Sequence, residues 1–395
     1  MQIFSQAEMK QRTEKLRQEM DRLGIICAVV TSFHSAYYLS GSFQLPWSSW
    51  RMFATIVPLK GEPTLVTNLI EDDRAKEQSW ISDVRTYIDE ENSKRSMARL
   101  IGEVLREKGI ANTKVGVEED TIPVVLLKYL QEVAPGCEFV DISDRLDTLR
   151  LVKSEEEVEL TRKISDLAEI GVKAFMDRLE EGVSEIELSL ASVEAMEREH
   201  IRMFPGMESF GIMATVNSGL KTLTCHAVSS DRKIQKGELI SMNMLPAVML
   251  YCAHLERTLV LGDIPEVIKK PFETYLKARE AGLEMMKPGV RCSDVERAAA
   301  DVFVKAGYTE YKAAKMGCTG HSFGIMGPLW GREENGEINL YNDRTIIREN
   351  MIFSLEPSLS VPGVGGIRHN DTVLITKDGN EFLTEYDRGM INVRK

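Results

Sequence analysis

No stretch of the 395-residue sequence approaches the roughly 20 consecutive apolar residues that a membrane-spanning helix needs. Met1-Gln2-Ile3-Phe4 has neither the basic start nor the apolar run of a secretory leader. Cysteine is sparse: Cys27, Cys137, Cys225, Cys252, Cys292 and Cys318 are scattered, and none forms a CxxC pair. That excludes a disulfide framework and reads as reduced, intracellular thiols, so the chain is expected in the cytoplasm. Positive charge is also short, with 49 Lys and Arg against 61 Asp and Glu and a net charge of -12. This argues against a nucleic-acid or anionic-membrane partner and favours small or cationic ligands. What remains, 43% hydrophobic and 28% charged, is the composition of a globular enzyme with room for two cores.

In order, the spacing predicts a helix over Ser5–Leu23 stopped by Gly24, then strands at Ile25–Val30, Met52–Pro58 and Pro63–Thr67. A helix over Ser93–Lys108, a strand Lys114–Val117, a helix Pro123–Val133 and a strand Glu138–Asp141 follow, an α/β pattern for residues 1–152. The second domain, residues 153–395, opens on a long amphipathic helix with Ser154 and Glu157 spaced as a capping box. Within it Glu181–Glu187 is echoed by Pro288–Glu296, each expected to open a helix with a Ser-x-x-Glu cap, which points to a pseudo-symmetric domain.

The centre of that domain is Leu239–Val260, read as two buried strands joined by a turn at Pro246 and carrying Asn243, His254 and Glu256 where apolar residues are expected. Buried polar groups need partners or a ligand. Histidine is scarce enough to weigh singly. His200, at the end of a charged helix, reads as a surface residue and His34 as loop packing, whereas His226, His254, His321 and His369 each lie in or beside an apolar or glycine-rich strand. Cys225 beside His226 does not make a nucleophile–base pair, because adjacent strand residues face opposite ways.

HLERTL (254–259), KPGVRCSDV (287–295), GHSFG (320–324), WGRE (330–333), SLEP (354–357) and the closing Asn392-Val393-Arg394-Lys395 occur in a telling order. With them the second domain resembles the pita-bread fold of methionine aminopeptidases, aminopeptidases P and prolidases, and within it most closely the creatinases, the creatine amidinohydrolases. The resemblance implies an α/β (α+β) protein, with a pita-bread catalytic domain behind a smaller N-terminal domain of creatinase/prolidase type. The five metal-ligand positions of the metal-dependent relatives fall on Asn243, His254, His321, Glu356 and Asn370. Only His321 and Glu356 keep a ligand of the family's kind, so the resemblance implies neither a dinuclear metal site nor another cofactor.

By the same resemblance, Glu256 and Glu356 bind a substrate guanidinium through paired hydrogen bonds, and His226 is the catalytic acid/base. Arg332 and Arg51 hold the substrate carboxylate, Arg51 reaching across a homodimer. His321, Cys252 and Asn370 line the substrate. Cys252 and Asn370 depart from the tyrosine and histidine of creatinases, as do Ile325–Pro328 and Gln44–Trp50 from their counterparts, which leaves the substrate open among creatine and related zwitterions. Plainer readings stand beside these: Glu256 paired with a buried Lys or Arg, His321 as a satisfied core histidine, and Arg332 in a solvated loop. Three functions stay in view. They are a metal-free C–N hydrolase, a metal-dependent X-Pro aminopeptidase- or dipeptidase-like hydrolase with one ion on His254, His321 and Glu356, and a catalytically silent binding protein.

Overall fold

Ser5 starts the first helix, α1 (Gln6–Leu23), by accepting from the Glu8 amide at 3.1 Å, and Gly24 ends it in the left-handed region at φ 67°. In this computed structural model, residues 2–44, 51–90, 92–308, 319–325 and 336–394 are described. They form two compact units, Met1–Arg150 and Leu151–Lys395.

The first unit is a six-stranded sheet of β1 (Cys27–Val30), β2 (Ala54–Pro58), β3 (Thr64–Asn68), β4 (Asp83–Tyr87), β5 (Lys114–Val117) and β6 (Glu138–Asp141), in the order β4-β3-β2-β1-β5-β6. The β1–β2 and β2–β3 pairs are antiparallel and the others parallel. Helices α2 (Phe33–Ser40), α3 (Asp72–Gln78), α4 (Ser93–Glu107), α5 (Val124–Val133) and α6 (Ser143–Leu151) complete it. Met97, Ile101 and Val104 of α4 pack with Val29, Ile56 and Val115 of the sheet. His34 lies in α2 and not in a loop: Ser32 caps that helix, accepting from Ser35, and Gly41 closes it.

In the second unit, α7 (Glu155–Arg178) and α8 (Glu185–Met203) both start with complete capping boxes, Ser154 with Glu157 and Ser184 with Glu187. They cover one face of a four-stranded sheet, β17-β11-β8-β7, made of β7 (Met213–Ser218), β8 (Leu239–Leu245), β11 (Leu255–Leu261) and β17 (Ile391–Val393). Phe175, Leu188 and Met196 pack there on Met242, Met244, Leu255 and Leu259. The other face carries Leu239 and Val260, which pack on α9 (Glu266–Met285) and α10 (Cys292–Lys305) through Phe272, Tyr275 and Phe303. The remaining strands are β12 (Ile352–Ser354), β13 (Ser358–Val361), β14 (Gly365–Arg368), β15 (Thr372–Ile375) and β16 (Asn380–Phe382). No helix among the described residues is long and apolar enough to cross a membrane.

Three further expectations are corrected. The chain does not turn at Pro246: β9 (Ala247–Val248) and β10 (Tyr251–Cys252) form an extra hairpin whose turn residues, Met249 at φ 46° and Leu250 at φ 68°, adopt the double left-handed geometry of a tight β-turn. Ser293 caps no helix, since α10 begins at Cys292 and its first amides, Cys292 and Ser293, donate to the carbonyls of Thr345 and Asn342. With those donors met by backbone, the Ser293 hydroxyl bonds Asp343 instead. His200 is buried at 3% exposure, because it continues the inward row Leu188, Ser192, Met196 at a spacing of four.

Candidate active site

Strand alternation builds the site. On β11, Leu255 and Leu259 enter the helix-side core, so His254, Glu256 and Thr258 face the opposite way. Asn243 pairs directly with Glu256 across β8–β11 and shares that face. Glu256 and Asn370 exchange backbone bonds, N–H to O, at 3.1 and 2.9 Å. Arg257 secures this bridge from behind, donating to the Glu256 and Asn370 carbonyls at 2.8 and 2.6 Å and to Asp371 Oδ1 at 2.8 Å. Asp371 is fully buried and also meets Arg279, Arg388 and the Thr384 hydroxyl.

Glu356 is the hub on the site face. His321 Nε2 lies 3.3 Å from Oε1, and the Asn370 amide nitrogen donates to Oε2 at 3.1 Å while also meeting His254 Nδ1. His321 Nδ1 is 3.0 Å from the Ser322 carbonyl, and Phe323 packs edge-on against both imidazoles, at 6.0 Å from His254 and 4.9 Å from His321. Gly320 permits the approach of the His321 segment to β12, since a Cβ there would lie 2.2 Å from the Ser354 carbonyl oxygen. Burial opposes ionisation of Glu356, but the His321 hydrogen bond and the charge of Arg368 outweigh it and hold the carboxyl well below the usual range. Burial pushes Glu256 upward against the pull of Arg368, and the charge of Glu356 adds to the rise.

Arg368, the last residue of β14, supplies a guanidinium from within the chain. Its Nε is 2.6 Å from Glu256 Oε2, and its Nη2 donates to Glu256 Oε1 at 2.9 Å and to the Cys225 carbonyl at 3.0 Å. The Ser241 hydroxyl donates to Glu256 Oε1 at 2.8 Å. His226 follows Cys225 in an exposed turn after a short 3-10 segment, Gly219–Leu223, and is not in a strand as its sequence context implied. Beside this turn is a small polar pocket lined by Asn217, Thr222, Cys225, Glu256, Ser358 and Arg368 among others.

Residues 159–377 match the model of metallopeptidase family M24, and residues 12–152 that of the creatinase/prolidase N-terminal domain. The chain belongs to metallopeptidase family M24. Its relatives include a creatinase from a Bacillus species, 30% identical over 98% of this chain and 92% of the relative. A Xaa-Pro dipeptidase from Pyrococcus horikoshii is 27% identical over 97% and 99%. Among solved structures, the prolidase of Pyrococcus horikoshii superposes with a TM-score of 0.80 at 26% identity, covering 96% of this chain and 100% of that one. The dipeptidase PepE of Mycobacterium ulcerans reaches 0.83 at 25% identity over 99% and 100%. The second unit thus has the pita-bread fold of M24, and the first is an α/β N-terminal domain.

The residues that the resemblance places at metal-ligand positions do not fit two dications. Asn370 turns its amide N–H groups toward Glu356 and His254, and an amide nitrogen has no lone pair to offer a metal. Asn243 brings a neutral amide whose buried oxygen lacks a hydrogen-bond partner among the described residues. The ligand atoms that do converge, within 4.8 Å, belong to His254, Glu256 and Glu356. That set differs from the expected His254, His321 and Glu356, and Arg368 already holds one of its carboxylates.

Of the residues singled out in the sequence, the structure brings together His254, Glu256, His321, Glu356 and Asn370. Glu256 does not offer an open cation seat, because Arg368 fills it. Cys252 packs with Ala247, Phe323, Ile352, Leu374 and Leu383 in an apolar cluster. Arg51 is ion-paired with Asp89 at 3.0 Å in the first unit. Arg332, with the rest of WGRE, lies outside the described residues, as do 45–50 and 326–328. Arg368 was missed, although its place two residues before Asn370 puts it on the same face by strand period. His369, between them, points the other way and packs on Phe272 and Tyr275.

Proposed function

We propose that this M24 member is a metal-independent hydrolase of a small guanidino or amide zwitterion, with creatine as the first substrate to test. The observation that carries the reading is the Asn370 amide, which donates to Glu356 and meets His254 where a metal-dependent relative would need ligands. Similarity to a creatinase over nearly the whole chain supports it.

With Arg368 on Glu256, Glu356 is the carboxylate left to receive the substrate cation, and its depressed pKa keeps it charged for that purpose. His226 accepts a proton from water as the water oxygen bonds to the guanidinium carbon. The bond from that carbon to the methylated glycine nitrogen then breaks, its electron pair stays on nitrogen, and His226 returns the proton there, so that creatine and water become urea and sarcosine. His254 and His321 orient the reacting group. Arg332, and Arg51 across a cytoplasmic homodimer, receive the substrate carboxylate.

Urea release from creatine by chelated protein, with metal content measured alongside, tests this. Turnover should survive chelation, and His226→Ala should lower it by about 10²-fold or more. Absence of turnover on creatine and on a panel of guanidino and amide zwitterions would overturn the reading. A second reading, an X-Pro dipeptidase-like hydrolase with one ion, draws on the convergence of His254, Glu256 and Glu356. Cleavage of an X-Pro dipeptide that depends on added divalent ion would favour it.

A further inference from the structure

Arg368 joins two segments that otherwise have separate anchors. On one side its fork meets both oxygens of Glu256, at 2.6 and 2.9 Å; on the other its Nη2 donates to the Cys225 carbonyl at 3.0 Å, one residue before His226. The side chains are 13% and 2% exposed, so water competes little for these bonds. The same loop is pressed onto β14 near its start, where Thr222 Oγ1 accepts from the Gly366 amide at 2.7 Å. A Cβ at Gly366 would come within 2.3 Å of the Thr222 carbonyl oxygen, so the approach needs glycine. Three residues beyond Thr222 the Arg368 bond reaches the loop next to the histidine.

We infer that Arg368 is the positioning residue for His226: a guanidinium built into the chain that fills the seat at Glu256 and, through the Cys225 carbonyl, fixes the turn that presents His226. A planar group is needed, because Nε must lie against one Glu256 oxygen as an ion pair while Nη2 donates both to the other oxygen and to a carbonyl on another segment. An ammonium on a flexible stem is a point charge and cannot span both. The role of the turn in turnover rests on the proposed function; the guanidinium seat itself does not.

The test uses the full chain as wild type, Arg368→Ala, Arg368→Lys and the double variant Arg368→Ala with Glu256→Gln. Truncation to alanine leaves a vacancy of guanidinium shape, bounded by a buried carboxylate and a carbonyl. Millimolar guanidinium chloride should raise the melting temperature of Arg368→Ala saturably, while methylammonium chloride and sodium chloride should not. Wild type and the double variant should show no such rise. With creatine, Arg368→Ala should lose kcat by up to about 10²-fold through misplacement of His226, with KM little changed. Free guanidinium should restore part of that kcat, and Arg368→Lys should remain impaired.

No guanidinium-specific stabilisation of Arg368→Ala, or full kcat in Arg368→Lys, overturns the inference. If Arg368→Ala does not fold, Arg368→Gln replaces it, with hydrogen exchange over residues 223–230 as the readout. Faster exchange than wild type supports the tether, and unchanged exchange overturns it. If wild type does not turn over creatine, the proposed function fails while the melting arm still decides the seat.

Discussion

The Asn370 amide nitrogen lies 3.1 Å from Glu356 Oε2 and also meets His254 Nδ1, so one neutral side chain joins a carboxylate and an imidazole that would otherwise present two acceptors to each other. Asn370→Glu would reverse this, setting a third buried carboxylate beside Glu256 and Glu356 with Arg368 as their nearby cation. Loss of the donors plus the like charge should cost about 3 kcal/mol of unfolding free energy without metal. The new set is richer in metal ligands, so Mn²⁺ at a hundredfold excess over its Kd should return about 2.7 kcal/mol. Urea denaturation with and without Mn²⁺ checks this; an Asn370→Glu variant as indifferent to Mn²⁺ as wild type would contradict it.

Asp371 is one fully buried carboxylate facing Arg257, Arg279 and Arg388. Arg257 in turn holds the Glu256–Asn370 bridge from behind the site. Asp371→Asn keeps the shape and removes the counter-charge, stranding guanidinium groups away from water. The expected loss is about 3 to 5 kcal/mol, read from urea midpoints at constant m-value. A loss under 1 kcal/mol would mean that the cluster relaxes into solvent through Arg388, its most exposed member.

Much of this was legible before the structure, and the gaps have physical causes. Ser5, Gly24, Ser154 and Ser184 announced their helix ends because capping is local chemistry. The two-residue spacing of His254 and Glu256 is enough to put both on one face of a strand, as observed. Short elements such as α2, α3 and β4 carry too few residues for a period to stand out. Ser293 imitated a cap because the sequence does not reveal that distant carbonyls already satisfy the helix amides. Arg368 escaped notice for the same reason: its partners lie 112 and 143 residues away in the chain, and only folding brings them within reach.

Glu185 holds both ends of the loop that carries His226. Its carboxylate accepts from the Ser218 amide and hydroxyl at 2.8 Å each, from Lys221 Nζ at 2.7 Å, and from the Ser230 amide and hydroxyl at 2.9 and 2.8 Å. Glu185→Ala leaves these donors to find water, with an expected loss of about 3 kcal/mol. The turn should open before the unit unfolds, so hydrogen exchange over 219–230 should quicken more than in α7 or β11. Uniform quickening across the unit would show that Glu185 supports the whole fold rather than this loop.

His369 gives a pH dependence whose sign follows from its surroundings. Its ring is enclosed by Phe272 and Tyr275, with Nε2 3.2 Å from the Thr258 carbonyl. Burial, then the charges of Arg257 and Arg279, hold its pKa well below the ordinary 6.5. The folded chain therefore stays neutral there at pH values where the unfolded chain binds a proton. The stability contributed is complete above pH 6.5 and falls as pH drops below it, at up to about 1.4 kcal/mol per pH unit. Glu356 does not oppose this trend, because its depressed carboxyl stays ionised through the same window. His369→Gln retains an N–H for the Thr258 carbonyl but takes up no proton, so urea midpoints between about pH 5 and 8 should show a shallower slope, by one proton, than wild type. Equal slopes in the two proteins would assign the proton uptake to another group.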